Sequence, residues 1–496
     1  MIRWLVGVLA LGVVVLSVWQ LEADRSGLVI APLEVAGGTP ATLYLREGGG
    51  PAPAVVIAHG FAGSRQLMEP FALTLAQAGY TVASFDFEGH GRNPTPMRGD
   101  VTTVLGTTQF LMAETARVAE ALMAHPRADG RLAFLGHSMA SDIIVRAALE
   151  DERTGAVVAV SMFSQAVTAE APPNLLVIAG EWEARLAEEA LRAVRLADPD
   201  AEAGVTVGDL ATGSGRRAAV APAVEHVGVL YSATALREAR DWLDAAFGRD
   251  SAGPVALRGG WIVLLLGGVV ALGWPLARAL PAGAPVAARL SRGRFWLAAL
   301  LPAVMVPLAL WPIETRVLPV LVADYLAVHF ALYGAIVLLL LSRWGGLAGQ
   351  FPPRVWWIAL AVAGFGILVF GGALDRYVAS FYPHPGRAAV IAGLALGAAA
   401  YMLGDALLTE GGRAPFWRVI VVRGAFLASL AAAVALDFQR LFFLVIILPV
   451  ILLFFLLFGM MAGWVGRRTG LPAAGGLGLG LLLAWALGVT FPMFAV

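Results

Sequence analysis

Apolar positions along this chain follow three successive patterns. Residues 4–19, from Trp4 to Trp19, form an unbroken apolar run with Arg3 before it and Glu22, Asp24 and Arg25 after it. That is the layout of a signal peptide or a signal anchor. A cleavable signal wants small residues just ahead of the cut, which Leu21-Glu22-Ala23 does not supply, so the expectation is an uncleaved anchor with its N-terminus in the cytoplasm.

From residue 28 to about 247 the pattern changes to short β-branched runs separated by helical stretches, the signature of a mostly parallel sheet covered by helices on both faces. Strands are expected at 28–35 and 41–46, joined at Gly37-Gly38, then at 54–58, 81–87, 131–136, 156–161, 174–179 and 217–221. Helices are expected around 66–78, 106–124, 139–150 and 182–197, with 232–246 closing the unit. After Gly259 come apolar segments near 260–280, 295–312, 318–341, 355–373, 388–408, 417–436, 441–463 and 471–495, each about the length that crosses a bilayer. The predicted organisation is an anchor (1–27), an α/β domain (28–250) and a polytopic all-α membrane domain of about eight helices (251–496).

Charge sharpens this division. The first 250 residues carry 19 Arg against 29 acidic residues and the remainder 16 Arg against 6, so a zero net charge conceals an acidic and a basic half. Arg in alternate connections is uneven too. Arg3, Arg278, Arg289, Arg292, Arg294, Arg343, Arg354, Arg413, Arg418, Arg467 and Arg468 fall on one side, and only Arg316, Arg376, Arg387 and Arg440 on the other. By the positive-inside rule the richer side is cytoplasmic, which puts the α/β domain and the C-terminus on the non-cytoplasmic side of a cell (inner) membrane.

Composition removes several chemistries. The chain has no Cys, which excludes a disulfide framework, a thiol nucleophile and Cys-ligated metals. It also has no Lys, all 35 basic residues being Arg, which excludes Schiff bases, a Walker lysine and a Ser–Lys dyad. No His/Asp/Glu cluster has metal-ligand spacing, no cofactor motif stands out, and nothing resembles a nucleic-acid surface. The expected partners are the bilayer and a small-molecule or lipid substrate.

The chemistry concentrates at Gly136-His137-Ser138-Met139-Ala140, between the strand at 131–136 and the helix at 139–150. A Ser on a sharp strand-to-helix turn needs small neighbours because its backbone is strained and closely packed. Here Ala140 stands where Gly is usual. Upstream, His59-Gly60-Phe61-Ala62-Gly63 ends the strand at 54–58, and the N–H groups of Phe61 and Met139 are candidate oxyanion donors. With Asp86-Phe87-Glu88-Gly89-His90-Gly91, these segments resemble the α/β-hydrolase superfamily, in particular its serine aminopeptidase-like and dienelactone hydrolase-like members. The resemblance spans roughly 28–247 and implies a Ser, acid, His order. Of seven histidines only His226 lies after Ser138 and outside the apolar half, where the superfamily keeps its base. The superfamily's acid turn corresponds to Gly180-Glu181-Trp182-Glu183, making Glu183 the first choice, Glu181 the second and Asp209 the third. Glu183 also fits the start of a solvated helix with Arg185, Glu188, Glu189 and Arg192. His59, His90 and His137 read as turn-shaping or packing residues.

In the apolar half, Asp324 and His329 do not share a helix face, whereas Asp405 and Arg423 are placed to form a structural ion pair. The resulting expectation is a membrane-integrated serine hydrolase cleaving an ester, lipidic or acyl in character, through an acyl-enzyme on Ser138. A peptidase, amidase or acyltransferase of the same fold, and a scaffold or transporter with an inert hydrolase-like domain, are the alternatives. Only Met162 to Pro173 separate two strands where a cap would be inserted, too few for a helical lid. The segment Asp375–Arg387, with Tyr377, Tyr382 and His384, is expected to face the catalytic mouth.

Overall fold

Runs of small and β-branched residues between 28 and 221 pair into one sheet. The computed structural model describes residues 2–100, 103–251, 253–286, 290–315, 318, 320 and 322–495. The strands are β1 (Leu28–Leu33), β2 (Ala41–Arg46), β3 (Ala52–Ala58), β4 (Thr81–Phe85), β5 (Ala128–His137), β6 (Thr154–Val160), β7 (Leu175–Gly180), β8 (Thr206–Val207) and β9 (Arg216–Ala221). Their spatial order is β1-β2-β4-β3-β5-β6-β7-β9-β8, parallel from β4 through β9 and antiparallel at both ends. This is the α/β-hydrolase sheet expected from the motifs.

Strand periodicity sends alternate side chains to opposite faces. Val56, Phe134, Val157 and Val177 belong to one core, and Val55, Leu135, Val158 and Leu176 to the other. The first core lies under α3 (Gln109–Met123), α4 (Met139–Glu150) and α5 (Ala184–Arg195), the second under α2 (Glu69–Gln77) and α6 (Ala233–Ala246). Every residue of β3 is buried, which is why the central strands read as continuous apolar runs. Strand β8 was not anticipated: two residues are too few to carry a periodic signal.

The remaining helices are apolar: α1 (Ile2–Ala23), α7 (Gly259–Ala279), α8 (Arg292–Leu310), α9 (Ala323–Arg343), α10 (Arg354–Gly364) running through a π-turn into α11 (Gly371–Tyr377), α12 (Ala388–Leu408), α13 (Phe416–Leu436), the single turn α14 (Phe438–Leu441), α15 (Leu444–Thr469) and α16 (Pro472–Thr490). Among the described residues, nine helical segments including α1 are long and apolar enough to cross a membrane. The expected span at 471–495 ends early, at Thr490, because Pro492 lacks the N–H a helix needs. Arg423 pairs with Asp405 through two 3.1 Å bonds and donates also to the Phe455 carbonyl, a closed structural pair.

Hydrogen bonds sort the helix ends into two faces. On one, Gly283 and Val286 donate to the carbonyls of Arg468 and Gly470, and Arg413 to that of Arg467. The α/β domain sits on the other. There, Arg258 on the approach to α7 is fully buried and ties the Leu21 carbonyl of α1 to Glu69 of α2, which also binds Arg25. The chain end leaves α16 and exchanges backbone bonds with the domain, Met493 with Gly89 and Met97, and Ala495 with Met97. Arg387, also fully buried, donates to the Gly89, Gly488 and Phe491 carbonyls. Described Arg of the richer set lie on the face away from the α/β domain; Arg289 and Arg316 lie outside the described residues.

Candidate active site

Parallel strands end on a common edge of the sheet, and the candidate residues stand there except Asp209, which lies before β9 at the opposite edge. Strand β5 ends at His137, α4 begins at Met139, and Ser138 between them holds φ 54°, ψ −117°, a conformation that costs a non-glycine residue energy. The surroundings enforce it. The Ser138 N–H donates to the Val160 carbonyl at 2.9 Å, and its carbonyl accepts from the N–H and hydroxyl of Ser141. A Cβ on Gly136 would lie 2.9 Å from the Ala140 carbonyl oxygen, and one on Gly60 would lie 3.0 Å from the Ser138 Cβ. The small residues flanking Ser138 are therefore demanded by packing, and Ala140, fully buried, is small enough.

His226, on the loop after β9, accepts from Ser138 Oγ at Nε2 (2.9 Å) and donates from Nδ1 to Glu183 Oε1 (2.5 Å). The tautomer follows from Glu183, which as a carboxylate only accepts. Its other oxygen accepts from Ser161 Oγ and from the Gly180 N–H, both at 2.8 Å. Burial opposes ionisation of Glu183, but the bonds from His226, Gly180 and Ser161 outweigh it and hold the carboxyl below its ordinary value. Glu183 does stand at the start of a helix, as the residue before α5. The helix is solvated on its Arg185, Glu188 and Arg192 side while the Glu183 carboxylate turns inward, with its side chain 5% exposed.

The other acids have different partners. Glu181 accepts from the Ala223 N–H at 2.7 Å, shaping the turn before His226, and Asp209 accepts from the Ala211 N–H. Among the histidines, Nε2–H of His137 donates to the His226 carbonyl at 2.9 Å, steadying that loop. Burial, with His226 beside it, pushes the His137 imidazole down to about 3. His59 donates to the Gly60 carbonyl and accepts from the Phe87 N–H, and His90 donates to the Glu88 carbonyl. Burial pushes both down, His90 to about 3, so they stay neutral and shape turns.

Met139 follows Ser138 as the first residue of α4, and Phe61 follows Gly60, where an added Cβ would lie 3.0 Å from Ser138 Cβ. Ala62, at φ 56°, turns the chain sharply after Phe61. Two features escaped the sequence. Ser161, at φ 51°, supports Glu183 from the end of β6, and a serine at a strand end gives no distinguishing signal. The Phe61 ring lies tilted against that of Phe443, from the turn leading into α15, with centroids 4.8 Å apart. From the segment Asp375–Arg387, contact with the domain comes through Asp375 to Arg92 (2.5 Å), the Ser380 N–H to Ser64 Oγ (3.1 Å) and Arg387 to Gly89. Tyr377, Tyr382 and His384 bond instead to Glu22, the Leu368 carbonyl and the Gly386 N–H. Residues 162–173 form no helix over the site.

Residues 49–203 match the family model described as serine aminopeptidase, S33, a stretch holding Phe61, Ser138, Met139 and Glu183 and ending before His226. Solved structures with similarity include a hypothetical protein from Pseudomonas aeruginosa (14% identity, 44% of this chain and 94% of that one, TM-score 0.33). A dienelactone hydrolase from Anabaena variabilis matches at 18% identity over 45% of this chain and 96% of that one, TM-score 0.31. An epoxide hydrolase from Vigna radiata matches at 19% over 28% and 41%, TM-score 0.22, so the chain spans less than half of that enzyme. No curated protein matches the chain significantly.

Proposed function

We propose that this α/β-hydrolase domain is a membrane-held serine hydrolase that cleaves an ester of lipidic or acyl character. The observation that carries the reading is the unbroken chain from Ser138 Oγ through His226 to Glu183. Ser138 Oγ attacks the ester carbonyl as its proton passes to His226 Nε2. The carbonyl oxygen gains a negative charge, to which the N–H groups of Phe61 and Met139 donate. Collapse expels the alcohol, which takes the proton from His226 and leaves an acyl group on Ser138. Water, deprotonated by the same nitrogen, then frees the acid. Glu183 keeps Nδ1 protonated and stabilises the imidazolium in both halves.

A lipidic substrate is favoured by placement, since the strand ends that carry the site also carry the contacts to the apolar helices. The match to the serine aminopeptidase model favours a second reading, peptide bond cleavage by the same residues. In the proposed topology the Arg-poor helix ends and the domain lie outside the cytoplasm. The anchoring of α1 by Arg258 supports its retention in the working protein.

A fluorophosphonate probe applied to the full-length protein tests the chemistry. The wild type should be labelled and Ser138→Ala should not; equal labelling would overturn the proposal. A panel of lipid esters and aminoacyl amides then separates ester from peptide cleavage.

A further inference from the structure

Five aromatic side chains form an unbroken file running from the helical half into the candidate site. Phe438 meets Phe442 (5.4 Å between centroids), Phe442 meets Phe443 (5.7 Å), Phe443 meets Phe61 (4.8 Å) and Phe61 meets His90 (5.7 Å). Its outer end is open, Phe438 being 58% and Phe442 44% exposed. Its fourth member, Phe61, is the residue whose backbone N–H is assigned to the oxyanion, and Gly60 just before it touches the Ser138 turn.

The depth of this file follows from helix length. At 1.5 Å per residue, the apolar stretch 444–464 of α15, which ends before Arg467 and Arg468, spans roughly 30 Å, the hydrocarbon core of a bilayer. Phe443 is the residue just before this stretch, which places it at the boundary between the core and the headgroup layer. Asp437 and Arg440, paired at 2.9 Å, mark the same polar level. A bilayer lipid carries its ester carbonyls at the boundary between core and headgroups. Such an ester lies level with Phe443 and can follow the file from there towards Ser138, provided its chain keeps apolar cover on the way.

We propose that Phe438, Phe442 and Phe443 are the acyl-chain track of this enzyme, along which an ester-bearing lipid of the adjoining bilayer leaflet reaches Ser138. The inference rests on the serine hydrolase reading and adds the substrate class and its route. It also assigns a use to the helical half, which supplies the apolar wall that fourteen residues between β6 and β7 are too few to build. The competing wall is formed by the exposed rings of Phe163 and Trp182, which adjoin the supports of the triad acid.

The test uses the wild-type, full-length protein in phosphatidylcholine vesicles and a long-chain alkyl fluorophosphonate with a diazirine near the end of its chain. Ser138 Oγ displaces fluoride at phosphorus, its proton going to His226, and illumination then joins the tethered chain to whatever it touches. Crosslinks within residues 438–443 are expected. Labelling at Ser138 with crosslinks confined to Phe163, Trp182 or other sites overturns the track, whereas no labelling at Ser138 overturns the hydrolase reading itself. As a second measurement, the double variant Phe438→Ser/Phe442→Ser should lose about tenfold in kcat/KM on a palmitoyl ester and about twofold on an acetyl ester, because only the long chain loses apolar contact. Phe416→Ser, exposed at the opposite end of α13, serves as the control. Equal losses at both chain lengths, or none, would overturn the track.

Discussion

Replacing Glu183 by Gln removes one charge and almost no volume, and the structure dictates how the amide must sit. The oxygen that accepts from Ser161 and Gly180 receives two donors at 2.8 Å. Ser161 can rotate its hydroxyl to accept instead, but the Gly180 N–H can only donate. The amide therefore keeps its oxygen towards Gly180 and presents its NH₂ to His226. His226 Nδ1 must then accept, which shifts the ring proton to Nε2 and removes the base facing Ser138 Oγ. Flipping the amide restores the base but leaves the Gly180 N–H against an NH₂ group, a cost of about 1–3 kcal/mol that holds the productive arrangement to roughly a tenth to a hundredth of molecules. In that fraction the charge-assisted bond to imidazolium is also gone, about another 1.5–3 kcal/mol in the transition state. The two factors multiply to a loss of about 10² to 10⁴ in kcat/KM, whose upper end is the size of the kcat loss of about 10⁴ that the acid-to-amide exchange causes in a Ser-His-Asp triad. Initial rates on a soluble short-chain ester, with folding checked by thermal denaturation, measure it. Glu181→Gln and Asp209→Asn should stay within about twofold of wild type, because each carboxylate serves a turn whose donor an amide oxygen still satisfies. A Glu183→Gln enzyme retaining more than about a tenth of wild-type kcat/KM would refute the tautomer argument.

The same carboxylate predicts a pH dependence of stability. Because Glu183 is held below its ordinary 4.5, its contribution is complete above that value and fades as the pH falls through the lowered one, so the Tm gap between wild type and Glu183→Gln should close on acidification. A gap that widens below pH 4.5 would contradict the assignment. Gly60→Ala should reduce kcat by about a hundredfold, because its Cβ would press on Ser138 Cβ and His137 at 3.0 Å and displace both the nucleophile and the Phe61 N–H, and unchanged ester hydrolysis would count against this. Arg387→Met removes a buried donor from the Gly488, Phe491 and Gly89 carbonyls, of which Gly89 keeps the Met493 N–H, and should destabilise the seam between the domain and α16 by roughly 2–4 kcal/mol, read as a lower Tm in detergent and faster proteolysis near residue 491. The Cys-free chain also allows a direct test of sidedness with single cysteines: an impermeant maleimide should label Glu47→Cys in intact spheroplasts and Ser342→Cys only after lysis. The reverse pattern would invert the topology.

What could be read from the chain alone was whatever depends on local repetition or on counting. Twenty-residue apolar runs imply membrane helices because an unpaired backbone cannot exist in hydrocarbon, and nine such helical segments are present among the described residues. Alternating strands and helices imply a doubly covered sheet, and a Ser between Gly136 and Ala140 implies a strained turn. With so few histidines, His226 followed by counting once the resemblance was seen. The choice of acid was different in kind. Glu183, Glu181 and Asp209 are equivalent as letters, and their separate roles come from which donors the folded strand ends aim at each carboxylate. Contacts across the two halves of the chain lay further out of reach. Phe61 and Phe443 are separated by hundreds of residues, and nothing in either neighbourhood signals that their rings will meet. The bond between Arg387 and Gly89, and the pairing of the chain end with the turn after β4, likewise depend on where a helix bundle presents its ends to a sheet edge. Local sequence sets the period and length of each element through short-range sterics and solvation. Which elements then share a surface is decided by the packing of the whole chain, and that packing puts the site at the sheet edge that meets the apolar helices.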